Sequence, residues 1–404
     1  MLAMPNTSRR DPKEPLDHGA NFFARVGAQI EAFWQRVTEG IEIQVLWTQF
    51  VAEARASYSL YSREVDWDAL AHESRGRRIL KTASALFWAM LMKLSPARRV
   101  FLLIALVLGL LALTQGSSVK TGQNVAAQPP QNFTFVLLSL AALIFLLALE
   151  LADRVTMKRD LEIAREIQRW LVPESPPQVA GADIAFATRP ANTVGGDYYD
   201  AFLREVQDGG APVNRLLLVI ADVAGKSVPA ALLMATFQAS LRALSNARQS
   251  LAELVTGMNR YACAHSLGGR RFTTAFFAEL DPAARALTYI GAGHNAPVLR
   301  RASGTLERLP AASLPLGIDP RAQFTTGTLT LAPGDLLVCF TDGVIEAVNA
   351  RDEDYSEARL LELVKNSRGE SAASTLKRLM ADVEKFVGPT RQHDDITCLV
   401  LRAV

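Results

Sequence analysis

The chain has 404 residues, with 43 Lys and Arg against 41 Asp and Glu and a formal net charge of +2. That length admits roughly two or three domains, and the near-neutral balance, with no long basic stripe interleaved with aromatics, argues against a nucleic-acid partner. Three cysteines (Cys263, Cys339 and Cys398) form no CxxC, and two of them lie inside apolar runs, so they read as small buried hydrophobes rather than disulfide or zinc partners.

Met1–Asn21 is polar and contains proline, without the apolar stretch of a secretory signal, and residues 1–21 read as a disordered tail. Residues 22–97 read as a helical cytoplasmic region in which Ile30, Phe33, Trp34, Val37 and Ile41 share one helical face. No titratable cluster accompanies that stripe, so Trp34, Trp47, Tyr58, Tyr61 and Trp67 are expected to pack rather than to cage a ligand. His72 is expected to be a surface or packed residue.

Residues 98–152 read as a transmembrane hairpin with spans at about 99–116 and 133–152. Phe133–Ala152 carries no charge before Glu150 and offers roughly the twenty residues that a bilayer core requires. Val100–Leu113 is shorter, but Ala97 and Thr114–Gly116 extend it, and Arg98 and Arg99 can snorkel at its edge. Lys93, Arg98 and Arg99 precede the first span and Arg154, Lys158 and Arg159 follow the second, whereas the connector Gln115–Asn132 holds only Lys120. The positive-inside rule therefore predicts cytoplasmic termini and a small external loop.

Residues 153–180 read as a helical linker. Val155, Leu161, Ala164, Ile167 and Leu171 form an apolar seam flanked by charge, which predicts a short coiled coil and a homodimer through this helix, or else a passive spacer.

From residue 181 to 404 the pattern predicts one α+β domain. Strands are expected at Ile184–Thr188, Tyr198–Val206, Arg215–Ala221, Phe272–Leu280, Leu287–Gly291, Pro297–Arg300, Gly327–Leu331, Asp335–Thr341 and Ile396–Arg402. Helices are expected at Pro229–Leu244, Leu251–His265, Glu357–Val364 and Ala372–Phe386. Turn segments such as LDPAARA predict hairpins, hence largely antiparallel pairing. Several strands are apolar at consecutive positions, which demands sheets covered on both faces: two sheets packed together with helices outside.

The segment LLLVIADVAGKSVPAALL sets Asp222 at the rim of such a buried strand. An unpaired carboxylate is costly there, so it must be solvated, hydrogen-bonded, or neutralised by a cation; an ordinary turn or cap aspartate is the plainer alternative. Asp197 in VGGDYYD, Asp342 in CFTDGVIE, and Asp394 with Asp395 in HDDITCLVL occupy comparable settings. If the fold gathers these acids, their repulsion calls for cations, and an all-oxygen donor set selects Mg²⁺ or Mn²⁺ over zinc. Two such ions roughly 3.5–4 Å apart can share a water and hold a phosphoryl group for in-line attack. No convincing Ser/His/Asp nucleophile set competes. His294 in GAGHNAP fits a turn-stabilising role as well as it fits substrate contact.

The segments AREIQRWLVP, PANTVGGDYYD, ADVAGKSVPAALLMA, RFTTAFFAEL, GAGHNAPVL, PLGI, LAPGDLLVCFTDGVIEAVN and QHDDITCLVL, in this order, resemble the bacterial PPM-type serine/threonine phosphatases of the SpoIIE-like and RsbU-like branch. The resemblance spans roughly Leu161–Val404. It implies an αββα sandwich binding two Mn²⁺ or Mg²⁺ ions, with Asp197, Asp222, Asp342 and Asp394 as ligands and the Val223 carbonyl contributing. Asp395 and Asp200 are less certain members, Asp200 leaning to a structural role, while Gly195 and Gly196 would allow close backbone approach. It also implies a phosphoserine or phosphothreonine substrate on an anti-anti-sigma (STAS) protein, a linker helix coupling input to activity through dimerisation, and a place in the bacterial inner membrane with the phosphatase domain in the cytoplasm. The family's GDVSGKG reads ADVAGKS here, with Ala221 and Ser227 in place of glycines, and its FG pair reads Tyr355-Ser356. The alternatives to a protein phosphatase are a non-catalytic membrane scaffold that binds phosphorylated partners and a hydrolase of small phosphate esters.

Overall fold

The computed structural model describes residues 75–114, 131–265, 271–310 and 313–404. The expectations for residues 1–74 and for the connector at 115–130 lie outside the described residues. The chain divides into two compact units, Met1–Glu150 and Leu151–Val404.

In the first unit, helix α1 (Arg75–Lys93) is followed by α2 (Pro96–Thr114) and by the start of α3 (Gln131–Leu171). Pro96 opens α2 at the one helical position where a missing N–H costs nothing. The pairs Arg98 with Glu150 (3.2 Å), Phe101 with Phe145 (ring centroids 5.6 Å) and Ser139 Oγ donating to the Ala105 carbonyl (2.8 Å) run in opposite directions along the chain, so α2 and α3 pack antiparallel. A side chain on Gly109 would press on Ser139 Oγ at 3.3 Å, so glycine permits the approach. Pro96–Thr114 and Phe133–Leu171 are each long and apolar enough to cross a membrane, by length and composition, and their large apolar side chains are mostly exposed. Helix α3 runs unbroken to Leu171, as the continuation of the second apolar segment into a charged helix predicts.

Among its described residues the second unit contains ten strands: β1 (Ala182–Arg189), β2 (Tyr198–Asp208), β3 (Ala211–Val223), β4 (Thr273–Asp281), β5 (Ala286–Ala292), β6 (Val298–Arg300), β7 (Leu306–Arg308), β8 (Gly327–Thr330), β9 (Leu336–Phe340) and β10 (Ile396–Ala403). They form two five-stranded sheets, ordered β1-β10-β9-β6-β7 and β2-β3-β4-β5-β8, with antiparallel ladders throughout. The helices are α4 (Ser227–Ser245), α5 (Leu251–Ala264), the single turn α6 (Asp342–Ile345), α7 (Glu357–Lys365) and α8 (Ala372–Val387). The sequence pattern finds all of these except β7 and α6, which are three and four residues long.

Strand alternation explains the unbroken apolar runs. In β3, Leu216, Leu218 and Ile220 face Leu337, Cys339, Leu399 and Leu401 of the other sheet, whereas Leu217, Val219 and Ala221 face Met234, Phe237 and Leu241 of α4 and Leu254 and Met258 of α5. In β10 and β9 the alternate set, Val338, Phe340, Cys398 and Val400, packs against Leu360 and Val364 of α7 and Leu379 and Val383 of α8. β3, β9 and β10 thus bury both faces, and the layers are helix, sheet, sheet, helix. Ser250 opens α5 with a capping box closed by Glu253. All three cysteines are free, and burial pushes the thiols of Cys339 and Cys398 well up, so both stay protonated.

Candidate metal centre

Register brings the acids to one rim. Tyr198 pairs with Ala221, so the start of β2 lies beside the end of β3; Cys398 pairs with Phe340, so the start of β10 lies beside the end of β9. Asp197 precedes β2, Asp222 is the penultimate residue of β3, Asp342 follows β9 and opens α6, and Asp394 and Asp395 precede β10. Strand ends are where a sheet can present carboxylates to water without burying them in its core.

The electrostatics record the crowding. Asp222 is pushed up to about 7, first by burial and then by repulsion from Asp342, Asp394 and Asp395, with Lys226 opposing. Asp197 is raised well above the usual carboxylate range by burial and by Asp222 and Asp395, against hydroxyl bonds from Thr397 and Thr341. The Thr341 hydroxyl donates to Asp197 Oδ2 at 2.8 Å. Asp342 is raised by burial and by Asp394. Lys226 Nζ lies 3.0 Å from Asp394 and also donates to the His393 carbonyl at 2.7 Å.

Asp395 differs from its neighbour. Its carboxylate accepts the backbone N–H of Ala191 (2.7 Å) and of Gly196 (2.6 Å), so it pins the loop that carries Asp197 rather than standing free. Glycine is required around it: a side chain on Gly195 would collide with that carboxylate, and one on Gly343 with the Asp395 carbonyl. A Cβ on Gly196 would lie 2.9 Å from the Val223 carbonyl and 3.7 Å from Asp222 Oδ1, so the loop seats directly on these two oxygens.

Asp200 belongs to a different set of contacts. It is fully enclosed, accepts the Tyr198 hydroxyl, and receives a two-pronged Arg242 guanidinium at 2.9 and 2.8 Å, which itself stacks on Phe202. His294 is buried, with Nδ1 3.0 Å from Thr274 Oγ1, and burial lowers it to about 4, so it is neutral at neutral pH. Thr274 is the ladder partner of Asp222, which places His294 behind the rim as a packed turn residue.

The donor set fits hard divalent cations. Among the described residues, no three acid, imidazole or thiol side chains converge tightly enough to grip one ion by themselves. Mg²⁺ and Mn²⁺ do not need such a cage, because these ions keep several waters and use one or two carboxylates plus substrate oxygens. Mutual repulsion among Asp197, Asp222, Asp342 and Asp394 is the deficit a cation would relieve, and the Val223 carbonyl beside Gly196 is a neutral oxygen next to them.

A feature the sequence pattern does not reveal ties α3 to this rim. Gln168 Nε2 donates to the Gly195 carbonyl at 2.7 Å, and the Gly195 N–H donates back to Gln168 Oε1 at 3.2 Å. A cavity of about 130 Å³ beside this clamp is lined by Arg165 and Arg169 on the helix and by Asp197 and Asp395 on the rim. Leu161, Ala164 and Leu171 share the half-buried side of the helix with Gln168, whereas Ile163, Ile167 and Trp170 are exposed. The expected seam is therefore split: three of its members turn inward, and only Val155 and Ile167 stand free.

Ser227 and Ser356, which replace glycines of the resembled motifs, retain glycine's backbone, with φ of 61° and 71°. The substitutions are absorbed as local strain and displace no carboxylate.

Two antiparallel sheets between helix layers, with acids at one rim, define a PP2C-like phosphatase fold, and the SiaA-PP2C domain of Pseudomonas aeruginosa superposes on it with a TM-score of 0.54 at 22% identity, covering 63% of this chain and 99% of that one. Residues 212–404 match the family model described as Stage II sporulation protein E (SpoIIE). Over residues 212–404 the chain is thus similar to the SpoIIE-type phosphatases, RsbU among its relatives. Phosphoserine phosphatase RsbU of Bacillus subtilis is 28% identical over 247 residues, 61% of this chain and 70% of that protein. Protein IcfG of Synechocystis is 28% identical over 282 residues, 63% of this chain but 43% of its own length, so the chain spans less than half of that relative.

Proposed function

We propose that this chain is a membrane-anchored, divalent-cation-dependent phosphatase that hydrolyses phosphoserine or phosphothreonine on a signalling protein, an anti-anti-sigma (STAS) factor in a partner-switching pathway. The observation that carries the reading is the gathering of Asp197, Asp222, Asp342 and Asp394 at one rim of a SpoIIE-type domain, with Asp222 raised to about 7 by burial and then by its acidic neighbours. The name of RsbU as a phosphoserine phosphatase supports the substrate class.

Asp197, Asp222, Asp342, Asp394 and the Val223 carbonyl would hold two Mn²⁺ or Mg²⁺ ions, which when bound supply a low-pKa water and charge neutralisation for phosphoryl transfer. The protein's own part is to hold the acids in place: Thr341 orients Asp197, and Asp395 ties the glycine loop to β10. No side chain of the rim needs to be a covalent nucleophile, and the neutral, enclosed His294 is not needed as a base.

The two apolar helices and the basic residues flanking them support anchorage in the inner membrane with both termini and the phosphatase domain in the cytoplasm. The exposed Ile163, Ile167 and Trp170 on α3 support homodimerisation through that helix, on the side opposite to the Gln168 clamp.

The full chain in detergent, loaded with Mn²⁺, should release phosphate from a phosphorylated STAS protein far faster than from nucleotides, and Asp222→Asn should abolish both. Tight capture of the phosphoprotein by wild type without turnover would mean a scaffold; preference for nucleotides would mean a small-ester hydrolase.

A further inference from the structure

Lys226 reaches across the rim. It belongs to the turn after β3, the strand that carries Asp222, yet its ammonium bonds to the loop before β10 in the other sheet. Nζ donates to the His393 carbonyl at 2.7 Å and lies 3.0 Å from Asp394 Oδ2. Its backbone is extended, with φ −135° and ψ 159°, between two residues of positive φ, Gly225 at 121° and Ser227 at 61°. The path of the turn, and with it the root of the side chain, is therefore specified by the backbone.

Both oxygens of Asp394 are engaged. Oδ1 accepts the N–H of Asp395 at 2.9 Å, and Oδ2 faces Lys226. The residue is anchored through its backbone as well, since Gln392 Nε2 donates to its carbonyl at 2.6 Å. The same ammonium lowers Asp222, Asp342 and Glu346 against the burial and mutual repulsion that raise them, so it stands within Coulomb reach of three further acids.

A pair this exposed, with 57% and 38% of the two side chains in water, contributes little to stability. Its consequence lies in which oxygen it occupies. An ammonium and a dication on the same carboxylate oxygen repel each other strongly, and Oδ2 is the oxygen of Asp394 that no backbone group holds.

We infer that Lys226 is a built-in competitor of the divalent cations: its ammonium must leave Asp394 Oδ2 for that oxygen to serve as a ligand, and it thereby weakens the affinity of the centre for cation. The inference rests on the cation-dependent phosphatase reading above. Mass action gives it a distinctive sign. Removing a competing positive charge strengthens cation binding, whereas removing a group that only shapes the turn weakens it or leaves it unchanged.

The test uses the full chain in detergent, stripped with a chelator and titrated with Mn²⁺ in a calorimeter. Lys226→Met keeps the aliphatic stem and removes the charge. Its Mn²⁺ dissociation constant should fall by about three- to thirtyfold, and a fixed Mn²⁺ concentration should raise its melting temperature by more than it raises that of wild type. Lys226→Arg keeps the charge and should not tighten binding. Unchanged or weaker Mn²⁺ binding in Lys226→Met would overturn the inference, the weaker result showing Lys226 to be a structural tie between the sheets. Equal tightening in Lys226→Arg would overturn it too, because charge would then not be the agent. Phosphate release from a phosphoserine protein, measured alongside, separates the two claims. Tighter Mn²⁺ binding in Lys226→Met with no turnover by any of the three proteins would sink the phosphatase reading alone. An active wild type whose Mn²⁺ affinity the substitution leaves unmoved would sink this inference alone.

Discussion

Gln168 is the side chain through which α3 reaches the acid rim, and removing its amide gives a sharp test of how the glycine loop is held. Gln168→Ala deletes two bonds to Gly195, one of 2.7 Å and one of 3.2 Å. Hydrogen bonds of this kind are worth about 0.5–1.5 kcal/mol each in net stability. The adjoining cavity of about 130 Å³ can admit water to the freed backbone groups, which places the loss in the lower part of the summed range. A cost of roughly 1–2 kcal/mol corresponds to a five- to thirtyfold shift in the population of the ordered loop. Gly195 is followed by Gly196, whose N–H holds Asp395, and then by Asp197, so the loosened loop should bind cation less well. The assay is the Mn²⁺ concentration at half-maximal turnover in the full chain, read beside a thermal melt. Gln168→Glu is the informative companion, since it keeps the acceptor for the Gly195 N–H, loses the donor, and adds a charge next to crowded carboxylates. A Gln168→Ala protein whose Mn²⁺ dependence and kcat stay within about twofold of wild type, at unchanged melting temperature, would refute the reasoning.

Two further outcomes follow from the same geometry. Ser227→Gly and Ser356→Gly should each stabilise the fold by roughly 0.5–1 kcal/mol, because φ of 61° and 71° costs an L-residue more than glycine's extra unfolded-state freedom returns; urea unfolding with no gain in midpoint would contradict this. The chelated, metal-free protein should lose stability as pH rises. Asp222 is raised in the folded state to about 7 from an ordinary value of 3.8, so the native form binds more protons than the unfolded chain between those values. That contribution is fully present below about 4 and is gone above about 7, and Asp197, Asp342 and Asp395, also raised, act in the same direction. Melting temperatures between pH 6 and pH 8 should therefore fall, and less so in Asp222→Asn; a rise over that interval would contradict the account.

The layered fold was readable because β3, β9 and β10 are apolar at consecutive positions, a pattern that only a strand covered on both faces explains, and Leu216 to Ala221 do alternate between the other sheet and the helices. The acids were readable for a related reason: Asp222, Asp342 and Asp394 stand where such runs stop. What sequence could not supply was partnership across distance. Gln168 is one polar residue on a charged helix, and its partner Gly195 is 27 positions away. The hydroxyls of Thr341 and Thr397 look like ordinary strand residues until the ladder sets them against Asp197. The inward turn of Leu161, Ala164 and Leu171 on α3 was hidden for the same reason, since periodicity reports an apolar stripe and not which side the domain itself covers. Strand β7 is too short, between Gly304 and Pro310, to carry any period.

The most direct test is phosphate release from a phosphoserine protein by the full chain, measured with Mn²⁺, with the ion chelated, and with Asp222→Asn. The account predicts release that needs the cation and falls by at least about a hundredfold when this one carboxylate is neutralised. Equal release under chelation, or an Asp222→Asn protein as active as wild type, would contradict it.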